Sequence, residues 1–93
     1  MGCKNNLCLV LPKKDILQKA FGNYVRELRL RKNLTQVDVS SRMSKDQQSL
    51  QRVESGNVSP SLYYLYQLAD ALDIEPKELL SFKVIVAKKP KKS

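Results

Sequence analysis

Histidine is absent from the 93 residues, and cysteine stands only at Cys3 and Cys8. Together these facts remove most catalytic chemistry. No imidazole can act as acid, base or zinc ligand, and two cysteines cannot complete a four-thiolate metal site or a disulfide framework. No enzyme, no metal and no organic cofactor is expected. The chemistry that remains is hydrogen bonding, concentrated in Gln47-Gln48-Ser49-Leu50-Gln51-Arg52. A glutamine amide carries a donor and an acceptor side by side, matching N6 and N7 of adenine in the major groove, and an arginine can pair with guanine or grip a phosphate. Two glutamines opening a helix also forgo the negative charge that the helix dipole favours there, which suits an end that approaches phosphates. The plainer alternative is an exposed polar helix start.

An outward edge of Gln47, Gln48, Gln51 and Arg52 requires a helix that turns its other face inward. Asp46 is a strong N-cap, Leu50 and Val53 fall on the inner face, and Gly56-Asn57 is a good stop, so a helix is predicted over 46–55. Before it, Thr35 and Asp38 have the spacing of a capping box, with Asp in place of the usual Glu. Val39 and Met43 lie four apart, giving a helix over 35–43, and Ser44-Lys45 is a brief break.

Helices this short do not persist alone in water, so Val39, Met43, Leu50 and Val53 must pack against longer neighbours. One is a helix over 14–32, where Leu17, Phe21, Tyr24 or Val25, and Leu28 recur at helical spacing, with Asp15 as its cap and Lys32-Asn33 as its stop. Gly22 inside it costs about 1 kcal/mol relative to alanine. A second neighbour starts after Pro60-Ser61 and carries a stripe of Leu62, Leu65, Leu68, Ala69 and Leu72. After a turn at Asp73–Glu75, Pro76 takes the first position of a fifth helix holding Leu79 and Leu80. Of Tyr63, Tyr64 and Tyr66, core packing accounts for one at most. Leu79, Leu80 and Phe82 can serve either intrachain packing or a homodimer seam.

The expectation is an all-α domain of five helices over residues 14–82, with a flexible leader at 1–13 and a basic tail at 83–93. The β-prone stretches near Leu9 and Ile85 are candidates for a short terminal ribbon. Gly2 is discounted as a myristoylation site because Asn6 stands where that motif wants Ser or Thr. No apolar run nears the ~20 residues of a membrane span, and Leu7–Leu11 is too short for a secretory signal, so a cytoplasmic location is expected.

Net charge is +8. Residues 20–82 carry eight basic and eight acidic side chains, so the excess comes from the two ends. Within that stretch, residues 20–52 hold seven basic against three acidic, and residues 53–82 hold one against five. A folded unit therefore has a basic half and an acidic half, and a polyanion would choose its side. Lys88, Lys89, Lys91 and Lys92 read as a solvated tail with weak phosphate contact as a secondary effect.

Leu34-Thr35-Gln36, the Arg52-Val53-Glu54-x-Gly56 end of the second short helix, Pro60-Ser61-Leu62 and Leu68-Ala69-x-Ala71-Leu72 occur in a joint spacing. With Tyr24 to Arg29, that spacing resembles the helix-turn-helix domains of the Cro/phage-repressor (Xre) family over roughly residues 20–81. The resemblance implies a lambda-repressor-like five-helix domain, usually dimeric, that binds pseudo-palindromic operator DNA and regulates transcription as a repressor. It implies base or nearby phosphate contacts from Gln47, Gln48, Gln51 and Arg52, and a phosphate contact from Gln36. Lys45 and Asn57 are assigned to phosphates beside it. It also implies a structural ion pair between Arg29 and Glu54, joining the first helix to the recognition helix. Two departures stand out: Ser44 replaces the family's usual turn glycine, and Lys45 replaces an apolar residue and should point outward. The rival readings are an antitoxin, or other protein-interaction module that holds a toxin, and a restriction–modification controller protein.

Overall fold

The computed structural model describes residues 12–82. The leader's Cys3 and Cys8, the apolar stretches near Leu9 and Ile85, and the lysine tail lie outside the described residues. Four α-helices form in order: α1 (Lys14–Arg31), α2 (Gln36–Arg42), α3 (Gln47–Glu54) and α4 (Leu62–Leu72), followed by a 3-10 helix, Pro76–Leu80. No strand occurs among the described residues.

Local chemistry sets each boundary. Thr35 and Asp38 form the reciprocal capping box, with the Asp38 amide donating to Thr35 Oγ1 at 3.0 Å and the Thr35 amide to Asp38 Oδ2 at 2.8 Å. Asp46 caps α3 by accepting from the Ser49 amide at 3.1 Å, and Ser61 caps α4 by accepting from the Tyr64 amide at 3.1 Å. Asp15 does not cap α1. The helix begins one residue earlier, Lys13 holds the cap position without a side-chain bond, and Asp15 lies in the first turn where its charge suits the dipole.

All four α-helices end in the same way. After each, an amide reaches back five residues and its predecessor reaches back three: Leu34 to Arg29, Lys45 to Ser40, Asn57 to Arg52 and Ile74 to Ala69 are the longer bonds. This closure places one residue in the left-handed region. Those residues are Asn33 (φ 58°), Ser44 (φ 58°), Gly56 (φ 76°) and Asp73 (φ 61°). Asn and Asp tolerate that conformation and glycine prefers it; Ser44 is the strained member of the set.

The core is the set of inward positions meeting at one centre: Val25, Val39, Leu50, Leu68, Leu72 and Leu79 are fully buried, with Phe21, Leu28, Met43 and Val53 around them. α1 packs on α3, α2 on α3 and α4, and the 3-10 helix on α4 and α1. The crossing of α1 and α3 explains Gly22. A β-carbon there would lie 2.4 Å from the Val53 carbonyl oxygen and 2.6 Å from that of Glu54, so close approach of the backbones outweighs the helix propensity of a larger residue.

Three expected core placements change: Leu17, Leu62 and Leu80 are exposed. Leu62 is exposed, as is Tyr63, because both belong to the opening turn of α4; Tyr64 and Leu65 are half-buried, and the buried stripe starts at Leu68. The fifth element is a single 3-10 stretch rather than an α-helix. Neighbouring residues in it cannot share a face, so Leu79 is fully buried while Leu80 is 63% exposed. Phe82 packs within the chain, its ring centroid 5.6 Å from Phe21 and 5.7 Å from Tyr24.

Candidate nucleic-acid interface

α3 is eight residues long and amphipathic. Leu50, Val53 and Glu54 are buried, while Gln47, Gln48, Gln51 and Arg52 are exposed along one edge. The side chains of Gln48, Gln51 and Arg52 make no hydrogen bond among the described residues, which leaves their donors and acceptors open to a ligand. Ser49, between them, is held from behind: its hydroxyl donates to the Tyr64 hydroxyl at 3.2 Å. Burial pushes the Tyr64 phenol above its ordinary range, an effect opposed by that hydrogen bond. Tyr64 is thus the tyrosine that the core takes, while Tyr63 and Tyr66 remain exposed.

Beneath the edge runs a polar chain. Arg29 and Glu54 form a two-pronged buried ion pair, with Nε donating to Oε2 at 2.7 Å and Nη2 to Oε1 at 3.0 Å. Arg29 Nη1 also donates to the Leu34 carbonyl at 2.8 Å, so α1, the start of the α2 segment and α3 are joined through one guanidinium. Removing either partner would leave an uncompensated buried charge, so the pair locks this junction. Gln36 then donates from Nε2 to Glu54 Oε1 at 3.0 Å and accepts from Gln47 Nε2 at 3.2 Å. The geometry therefore brings Gln36, Gln47, Arg29 and Glu54 into one connected network.

The turn between α2 and α3 carries Ser44 and Lys45. Lys45 is exposed, with Nζ 6.0 Å from the centre of the Tyr64 ring. Asn57 is exposed beyond the end of α3, where its amide donates to the Arg52 carbonyl at 3.0 Å. Arg42, part of the basic half, is exposed but bonded within the chain: Nη1 donates to the Ala71 carbonyl at 2.8 Å and so satisfies an end carbonyl of α4. Gln18 ties α1 to the turn that follows α3, donating to the Gly56 carbonyl at 3.0 Å. These two ties, and the support of Ser49 by Tyr64, have no periodic signal in sequence, because each joins elements whose relative placement only the packed fold defines.

Two short helices joined by a tight turn, the second presenting amides and a guanidinium outward, define a helix-turn-helix protein. The sequence profile of the helix-turn-helix family HTH_3 matches residues 25–79. The chain belongs to this family, of the Cro/phage-repressor (Xre) type, whose members are DNA-binding transcription regulators. It is 37% identical over 65 residues to an uncharacterized HTH-type transcriptional regulator, y4dJ, of Sinorhizobium fredii, covering 70% of this chain and 84% of that protein. Among solved structures, it is similar to the restriction-modification controller protein C.AhdI from Aeromonas hydrophila, with a TM-score of 0.66 and 39% identity over 72% of this chain and 98% of that one. The clp gene regulator ClgR from Corynebacterium glutamicum shares the fold, with a TM-score of 0.65 at 21% identity over 75% of this chain and 87% of that one.

Proposed function

We propose that this protein is a cytoplasmic, sequence-specific regulator that binds a pseudo-palindromic operator as a symmetric homodimer and represses transcription. The observation that carries the reading is the exposed amide edge of α3, backed by fully buried Leu50 and by the Arg29–Glu54 pair. Gln47, Gln48, Gln51 and Arg52 read base edges or adjacent phosphates. Lys45 and Asn57 flank that edge and meet phosphates. Gln36 joins them through the second proton of its amide nitrogen, the first being given to Glu54. Two such helices enter successive major grooves about 34 Å apart. Dimerisation is supported by the exposed apolar side chains Leu62, Tyr63, Tyr66 and Leu80, and by a groove of about 200 Å³ that Leu17, Phe21, Leu65, Leu80 and Phe82 help to line.

Binding titrations on operator and on random duplex test this assignment. Gln48→Ala should cost about 1–3 kcal/mol on the operator alone and relax preference at one base pair. Lys45→Ala should weaken binding to every duplex alike and lower the salt slope by about one. Equal behaviour of the two variants on both duplexes would refute the readout. A second reading, control of a restriction–modification operon, is supported by the 39% identity over nearly the whole length of C.AhdI. Restriction and methyltransferase genes beside the coding sequence, with an operator upstream of them, would support it.

A further inference from the structure

We propose that the apolar run Leu7-Cys8-Leu9-Val10-Leu11 docks in the groove beside α1 of its own copy, where it competes with a second copy for that surface. The competition rests on the homodimer reading; the docking does not.

The groove has about 200 Å³ of open space, and Leu17, Phe21, Pro60, Leu65, Leu80 and Phe82 help to line it. Leu17 and Leu80 are exposed, so apolar surface faces water there when nothing covers it. The polar members of the lining offer little to a polar ligand. The Gln18 amide nitrogen is already given to the Gly56 carbonyl at 3.0 Å. Lys14 is exposed and adds a positive charge. The fitting occupant is therefore apolar and free of lysine over its contact length.

Two apolar stretches of the sequence lie next to this groove along the chain. Val84-Ile85-Val86 stands between Lys83 and Lys88-Lys89, so docking it carries like charge toward Lys14. Leu7–Leu11 is five apolar residues in a row, with no charge between Lys4 and Lys13. Its tether is short, since Leu9 is only five positions before Lys14. An extended chain covers at most ~3.3–3.6 Å per residue, which keeps Leu9 within ~18 Å of the groove lining. The start of α1 sets the direction. Lys13, the cap, has extended backbone (φ −66°, ψ 154°), so the helix does not run back into the leader. Half-buried Pro12, just before the cap, and Leu17, four positions after it, stand where a hydrophobic staple fixes the entry of a chain into a helix. The leader thus meets α1 beside the groove.

Linkage favours the leader over a second copy. A segment on so short a tether has an effective concentration in the millimolar range, far above that of a dilute regulator. The match to C.AhdI spans 98% of that chain and 72% of this one, so the shared fold is complete without all of this chain's residues.

Cys8 lies inside the run and Cys3 outside it, so the reduced full chain reports docking through its own thiols. Each is labelled with a maleimide, and its rate is divided by the rate in urea to remove intrinsic differences. Cys8 should be protected about tenfold relative to Cys3, unchanged over an about hundredfold dilution of the protein. Leu80→Glu in the groove and Leu9→Asp in the run should each abolish that protection. Asn6→Asp, the same charge outside the run, should keep it. A groove filled nine times in ten raises the apparent dimer dissociation constant about tenfold, so Leu9→Asp should dimerise at about tenfold lower concentration in sedimentation. Asn6→Asp should match wild type. Thermal unfolding checks each variant, and if Leu80→Glu does not fold, the two leader variants decide. Equal labelling of both thiols, or protection that survives Leu9→Asp, overturns the docking. Protection that vanishes on dilution puts a second copy in the groove and overturns it too. Protection lost in Leu9→Asp with dimerisation unchanged overturns the competition alone. No dimer at any concentration overturns the homodimer reading and the competition, while the thiols still decide the docking.

Discussion

At the residue scale, the interface divides into side chains that are free and side chains that are held. Gln48, Gln51 and Arg52 stand exposed, while Gln47 is anchored through Gln36 to a buried carboxylate. Asp38 shows how one carboxylate places this machinery. The Thr35 amide and hydroxyl beside it hold its pKa below the ordinary 3.8, with a smaller contribution from Arg42. A depressed folded-state pKa means that the stabilisation is fully present above about pH 4 and is lost as pH falls through the folded value. In melting curves taken stepwise from about pH 6 to 2, Asp38→Asn should be less stable than wild type near neutrality, and the two should converge at the acid end. A constant difference across that range would contradict the assignment. The outward places of the α3 side chains were legible from helical period and from Asp46 as a cap. The tie between Gln36 and Glu54 was not, because the two lie eighteen residues apart and meet only once α2 and α3 have packed.

At the scale of elements, starts and stops were written in short-range chemistry, and long-range crossings were not. The Thr35–Asp38 box, the Asp46 cap and the stop at Gly56 stand where the sequence placed them. Gly22 read as a weakness in α1, yet its lack of a side chain is what lets α1 lie against the end of α3. Gly22→Ala should therefore destabilise by about 1–3 kcal/mol despite the better helix former, measured by denaturant titration. A gain in stability would mean that the helices do not approach so closely. Ser44 gives the opposite sign. Its φ of 58° is costly for a residue with a β-carbon, and Ser44→Gly should stabilise by roughly 0.5–1 kcal/mol after the unfolded-state entropy of glycine is counted. Unchanged or lower stability would show the turn to be relaxed with serine. The fifth element stands where Pro76 placed it, with 3-10 rather than α geometry. Five residues stop after little more than a turn, and Leu80 is consequently directed outward.

At the scale of the whole molecule, the uneven charge of the sequence acquires a partial explanation. Some cations of the basic half serve the fold: Arg29 pairs with Glu54 and Arg42 caps α4. Lys45 and Arg52 remain exposed around the amide edge. The family assignment was legible because its signals are joint spacings spread over some sixty residues, which no single substitution erases. The apolar side chains left outside, Leu62, Tyr63, Tyr66 and Leu80, were harder to foresee, since a stripe of leucines reads the same whether it faces its own core or a second copy. Sequence-specific readout by α3 meets its sharpest test in selection from randomised duplexes at two salt concentrations. The expected product is a site with adenine-containing half-sites in inverted repeat, their centres about ten base pairs apart, enriched more sharply at the higher salt as unspecific contacts weaken. Recovery of no shared sequence at either concentration, with binding that simply fades as salt rises, would contradict it.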